Sequence, residues 1–207
     1  DVRLPVAGRH SVENGLAAGA VGLAAGLSLD EVAAGLEAGW SAPHRGEIVE
    51  TGGITIIDDA YNASPRSMAA ALETLAGFPG RHVAVLGQML ELGDAEEAGH
   101  REVGEIAART TDLLIVVGAG ARGIAEGATA TPVRPRDGVR LVADRGAALA
   151  ALDDELRPGD VVLLKASRGV ELDLLVEPLR SRGGRLDGPR PASTEPSTGP
   201  SPGRLAR

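Results

Sequence analysis

Ile54-Thr55-Ile56-Ile57-Asp58-Asp59-Ala60-Tyr61-Asn62-Ala63-Ser64-Pro65 is the stretch that decides the fold. Its first four residues are all β-branched and have no polar face, which predicts a strand covered on both sides. A polar turn follows, and then Ser64 stands where a helix cap belongs, with Pro65 in the first turn of a helix running to Leu75. A covered strand passing directly into a helix is half of a βαβ unit.

The same alternation repeats downstream. Short apolar runs at 82–86, 113–117, 139–142 and 161–164 predict strands, and helical spacing covers 96–109, 124–128, 146–156 and 170–180. One more short run, Glu47 to Glu50, precedes the opening stretch. The fold class expected is α/β: a Rossmann-like, mostly parallel, doubly wound sheet with ligands at the carboxyl ends of its strands.

Upstream, Val12, Leu16, Ala20 and Leu23 recur at helical spacing, and Ser28-Leu29-Asp30-Glu31 has the form of a capping box before Val32, Ala33 and Leu36. These two helices are expected to pack as a pair. Gly39-Trp40-Ser41-Ala42-Pro43 interrupts the pattern and predicts a boundary near residue 42. From Gly183 to Arg207 there are five Pro and five Gly with almost no large apolar side chain, so a disordered tail is expected. The divisions are thus 1–42, 43–182 and 183–207.

Composition narrows the classes of function. The chain has 207 residues, no cysteine, and 21 Lys+Arg against 29 Asp+Glu for a net charge of -8. A disulfide scaffold is excluded, and a non-specific nucleic-acid binder is disfavoured because phosphate neutralisation needs a basic face. No apolar run approaches the ~20 residues of a membrane span. Asp1 follows neither a Met nor a leader, so the chain reads as a piece of a longer cytoplasmic protein, expected to be monomeric. Ala and Gly are abundant and Arg has displaced Lys, which makes the rare residues conspicuous: one Lys (Lys165), one Tyr (Tyr61), one Gln (Gln88) and two Asn (Asn14, Asn62).

Four turns could carry chemistry. Asp58 to Asn62 offers carboxylates for ribose hydroxyls and an amide for an adenine edge, against the plainer reading of a capped turn. Lys165-Ala166-Ser167-Arg168-Gly169 sets two cations and a hydroxyl at a helix start, which suits an anion. Gly87-Gln88-Met89-Leu90-Glu91-Leu92-Gly93 puts Glu91 on another carboxyl-end loop. Gly118-Ala119-Gly120-Ala121-Arg122-Gly123 matches the dinucleotide fingerprint, with Asp144 lying 21 positions beyond Gly123. That match supports an alternative, an NAD(P)-binding dehydrogenase domain, and a non-catalytic α/β binding module is the third class. His10, His44 and His82 have no metal-like spacing, and His100 is expected at a surface or edge. A phosphate loop of the form G-x-x-x-x-G-K-[ST] does not occur, since the only Lys follows Leu164.

In this order the motifs resemble the C-terminal part of the Mur ligases, in the branch that joins D-alanyl-D-alanine to UDP-N-acetylmuramoyl-tripeptide. The resemblance runs from Gly8 to about Leu179 and rests on four segments. Gly8-Arg9-His10-Ser11-Val12-Glu13-Asn14-Gly15-Leu16-Ala17-Ala18 is similar to G-R-H-N-x-x-N-A-L-A-A, and Asp58 to Met68 is similar to the motif of this branch. Gly87 to Gly93 resembles G-D-M-x-E-L-G, and Lys165 to Arg168 resembles K-G-S-R. Ser11, Gln88 and Ala166 depart from these patterns.

The resemblance implies that residues 1–42 close a central ATPase domain and that 43–182 form a Rossmann-like domain closing over the nucleotide. It implies Asn14 and Asn62 near adenine, Asp59 at the ribose, Arg45 and Tyr61 at the nucleotide, and Lys165, Ser167 and Arg168 as catalytic residues lining the cleft. ATP and Mg²⁺ are the implied cofactors, with the magnesium ligands outside this chain. The implied reaction is ATP-dependent amide formation through an acyl phosphate, for which the chain alone is expected to be inactive.

Overall fold

A computed structural model describes residues 1–4, 8–39, 43–133 and 135–186. Helices α1 (Arg9–Ala24) and α2 (Leu29–Ala38) come first and pack on each other. The Ser28 hydroxyl accepts from the Glu31 backbone N–H while the Glu31 carboxylate accepts from the Ser28 N–H, completing the expected capping box. The expected break at Trp40–Ala42 lies outside the described residues.

Six strands then form one sheet: β1 (Glu47–Thr51), β2 (Ile54–Asp58), β3 (Arg81–Gly87), β4 (Leu113–Val117), β5 (Gly138–Val142) and β6 (Asp160–Lys165). Their order is β1-β2-β6-β3-β4-β5, with β1 antiparallel to β2 and the other pairs parallel. The β1–β2 hairpin turns at Gly52 and Gly53, both at positive φ, as a two-residue primed turn requires.

Helices α3 (Pro65–Ala76), α4 (Glu96–Thr110) and α5 (Arg122–Ala130) cover one face of the sheet, where Met68, Leu72, Val103 and Ile124 pack on Ile57, Leu86, Val116 and Leu163. Helices α6 (Arg145–Glu155) and α7 (Val176–Leu186) cover the other, with Leu152, Leu175 and Leu179 against Ile56, Val85, Ile115 and Leu164. Coverage on both faces explains why the strands read as continuous apolar runs.

Two expectations are corrected. Helical spacing predicts a last helix over 170–180, but two short 3-10 turns, Arg168–Val170 and Leu172–Leu175, precede α7. Glu171, at φ 55°, separates them and prevents one continuous helix. Because α7 continues to Leu186, it also passes the expected start of the tail at 183; residues 187–207 lie outside the described residues.

β6 sits between β2 and β3, yet the chain leaves β2 and β3 towards one face and β6 towards the other. Such a switch opens a crevice at the carboxyl ends of the strands concerned. Three of the four sequence turns therefore converge there.

Candidate functional site

The crevice is built from the turns after β2, β6 and β3. Ser64 begins α3 as expected, its hydroxyl accepting from the Ser67 N–H with Pro65 next in the first turn, so residues 59–63 are held between a fixed strand and a fixed helix. Within that span Asp59 faces Lys165. The ammonium donates to Asp59 Oδ2 at 2.6 Å, to the Asn62 carbonyl at 3.0 Å and to the Asp59 carbonyl at 3.4 Å. Lys165 is buried, and these contacts match its three donors. It does not stand open in the cleft.

Ser167 ties the third turn in. Its hydroxyl accepts from the Leu90 N–H at 2.9 Å and donates to the Ala63 carbonyl at 3.5 Å, and its N–H donates to the Gln88 carbonyl at 3.0 Å. Ala166, where the resembled motif has Gly, is fully buried and packs towards Gly87, on which a Cβ would approach the Ala166 Cβ to 2.7 Å. The extra methyl thus points into the core rather than at the crevice. Gln88 donates to Glu96 at 2.8 Å, a bond that an acid at position 88 could not make.

Above this buried set lies an aromatic and cationic mouth. The Arg45 guanidinium carbon is 4.2 Å from the Tyr61 ring centroid and that of Arg168 is 5.5 Å from it. Among the described residues neither Arg has a carboxylate partner, so both charges remain available to an anion, while the ring face keeps them oriented. Arg45, Asp59, Tyr61, Asn62, Lys165, Ser167 and Arg168 are therefore brought together. Asn14 is not: it stands exposed on α1 with no described hydrogen bond to this group.

One residue that the sequence did not single out, His44, completes the site, and it pairs with Asp58 rather than leaving that carboxylate to a ribose. His44 Nδ1 is 2.7 Å from Asp58 Oδ2, and the Tyr61 N–H donates to the His44 carbonyl at 3.0 Å. The hydrogen bond to Asp58 raises the His44 pKa above its ordinary value, while burial raises that of Asp58, partly offset by His44. The signal lay in Gly52-Gly53: a hairpin turning there brings residues before 47 alongside those after 58.

His100 is corrected from a surface or edge residue to a buried one. Its Nε2 accepts from the Met89 N–H at 3.0 Å, so Nδ1 carries the proton and donates to the Glu96 carbonyl at 2.7 Å. It fixes the turn after β3.

The glycine turn after β4 has a packing role. A Cβ on Gly120 would meet the Gln88 amide, the movable end of a half-exposed side chain that donates to Glu96. Asp144, expected at a ribose in the dehydrogenase reading, caps α6 by accepting from the Ala147 N–H at 2.9 Å. No group of three or more metal-ligating side chains occurs among the described residues, and none of their helices is long and apolar enough to cross a membrane.

Known proteins resemble this chain in sequence and in fold. The family described as "Mur ligase, glutamate ligase domain" matches residues 44–168. The UDP-N-acetylmuramoyl-tripeptide--D-alanyl-D-alanine ligase of Mycobacterium tuberculosis is 45% identical over 129 residues, covering 58% of this chain and 25% of that protein. The Escherichia coli enzyme of the same name is 42% identical over 120 residues, covering 57% of this chain and 26% of its own length. The chain thus spans about a quarter of the curated relatives it matches. Among solved structures, MurF from Acinetobacter baumannii superposes with a TM-score of 0.76 at 33% identity, over 87% of this chain and 39% of that one. A MurF ligase from Thermotoga maritima in complex with ADP gives a TM-score of 0.67 at 28% identity, over 80% of this chain and 36% of that one.

Proposed function

Because this chain belongs to the Mur ligase family, we propose that it is the nucleotide-facing C-terminal module of an ATP-dependent ligase that adds D-alanyl-D-alanine to UDP-N-acetylmuramoyl-tripeptide in the cytoplasm. One observation carries the reading most directly. Tyr61 holds the Arg45 and Arg168 guanidinium groups at the mouth of the switch-point crevice, beside a carboxylate, Asp59, that Lys165 orients.

Each group has a task that its chemistry suits. Asp59 accepts from ribose hydroxyls, its other demands being met by Lys165. Asn62 is placed for an adenine edge, although its side-chain oxygen also accepts from the Ala63 N–H at 2.8 Å. Asn14 would join it when α1 meets the rest of the central domain. Arg45 and Arg168 offer planar forks to phosphate or carboxylate oxygens, and charge that accumulates there in an acyl transfer is stabilised without reorganisation. Lys165 and Ser167 act through the loops they fasten. Magnesium, when bound, would neutralise phosphate charge; among the described residues no group of three or more metal-ligating side chains occurs to hold it.

The helix pair supports a domain limit near 42. Val12, Leu16, Val21 and Leu29 stand between 52% and 72% exposed, and α2 has no buried residue, as expected of a segment whose partner is another domain. A second division, from 43 to the end of α7, and a monomeric state belong to the same proposal.

The test replaces the corresponding quarter of the Escherichia coli relative with this chain. ADP release that depends on both the tripeptide and D-alanyl-D-alanine is expected, and equal release with an unrelated amine would overturn the reading. The chain alone is expected to release no phosphate above the blank, since it has no phosphate loop. Titration with ADP should perturb Tyr61; micromolar NAD binding abolished by Gly120→Val would instead favour a dehydrogenase.

A further inference from the structure

His44 precedes Arg45 and has a backbone that needs support. At φ 61° it is one of three non-glycine residues at positive φ among those described, a region that disfavours a side chain bearing Cβ. Two contacts hold it: its carbonyl accepts from the Tyr61 N–H at 3.0 Å, and its Nδ1 lies 2.7 Å from Asp58 Oδ2. Asp58 is itself fixed, 1% exposed at the end of β2 and accepting from the Ala60 N–H at 3.3 Å. The next residue, Arg45, has no ion pair among the described residues, so its position depends on the Tyr61 ring and on the backbone that delivers it.

We propose that His44 and Asp58 form a positioning pair, which pins the incoming chain to the carboxyl end of β2 and thereby holds Arg45 over Tyr61 in the orientation that receives a nucleotide's phosphates. Only the identity of the anion rests on the function proposed above; the pinning stands on geometry alone. The charged groups facing His44 are all acidic: Asp58 from β2, Asp173 from the turn before α7 with Oδ2 4.0 Å from Nε2, and Glu47 from β1. All three favour the imidazolium. When Nε2 loses its proton, the Nδ1–H still donates to Asp58 but the charge attraction disappears. The pair then loosens, and Arg45 loses its fixed approach to the ring.

The experiment uses the whole 207-residue chain labelled with ¹³C in histidine and tyrosine, because Tyr61 is the only tyrosine and gives a single ring signal. Over a pH range of about 5 to 9, His44 should titrate above its ordinary 6.5, and the Tyr61 ring signal should move with the same midpoint. Asp58→Asn should return the midpoint to the ordinary range and abolish the Tyr61 step. ADP affinity should fall several-fold as His44 deprotonates, and His44→Gln should give that weaker affinity at every pH. A Tyr61 ring indifferent to pH while His44 titrates would overturn the positioning pair. A Tyr61 step coupled to His44, with ADP perturbing neither ring, would support the pair and overturn the nucleotide reading instead. The unsubstituted chain decides the coupling even where a variant fails to fold.

Discussion

Lys165 carries three ammonium donors, and Asp59 and the Asn62 carbonyl take all of them inside a nearly closed pocket. Lys165→Met would leave a carboxylate and two carbonyls without this donor. Asp59 is 23% exposed, so water relieves part of the cost, and the expected loss of unfolding free energy is about 3 kcal/mol, read by urea denaturation. Lys165→Arg should also destabilise, since a planar fork cannot donate in the three directions an ammonium does. His44 gives a prediction with a definite sign. Its folded pKa lies above the ordinary 6.5, so the pair contributes fully below that value and its contribution is lost as pH rises through the raised one. The thermal midpoint should therefore fall between about pH 6 and 8, and His44→Gln should flatten that fall. Asp58, raised by burial, gives a slope of the same sign at lower pH.

Helices α4 and α5 approach each other through glycine. A Cβ on Gly104 would collide with the Ile124 carbonyl, and one on Gly127 with that of Arg101. Gly35 in α2, by contrast, has nothing within 4 Å of the same position. One substitution should therefore act in opposite directions: Gly104→Ala should cost about 1–3 kcal/mol through overpacking, whereas Gly35→Ala should gain about 0.5–1 kcal/mol from helix propensity. Paired thermal melts of the two variants check it. A neutral Gly104→Ala would show that α4 and α5 do not need this glycine to approach each other.

Across the whole molecule, the two ends of the sheet do different work. The carboxyl end gathers the crevice, while at the amino end Arg81 joins β3 to its neighbours: Nε is 2.6 Å from Asp137 and Nη1 is 2.8 Å from Asp160, with Glu155 at 3.7 Å. Burial pushes the Asp160 carboxyl up and Arg81 pulls it back, while Arg81 holds Asp137 below its ordinary range. Arg81→Ala would take the ion pair from Asp160, which is 2% exposed and keeps the Arg157 N–H at 2.9 Å, and should cost about 3 kcal/mol in urea denaturation without changing the ADP response of Tyr61. A changed ADP response at unchanged stability would contradict this division of labour between the ends.

The elements and the class of sheet are legible in the local residue pattern. Leu113–Val117 and Val161–Leu164 are apolar throughout because both faces are covered, and Ser28 and Ser64 mark helix starts because unpaired N–H groups need an acceptor there. The same pattern shows which turns carry rare side chains. Only the tertiary structure decided how those turns meet, because strand order depends on crossovers that leave no local trace: placing β6 between β2 and β3 is what sets Lys165 against Asp59 and Ser167 against Leu90. The same holds for Gly120, whose motif spells a cofactor loop while in the fold it lies against the Gln88 side chain, and for His100, whose helical position alone did not reveal the Met89 N–H it receives. Local interactions are written in neighbouring residues, whereas burial and cross-strand pairing belong to segments far apart in the chain and become fixed only when the core closes.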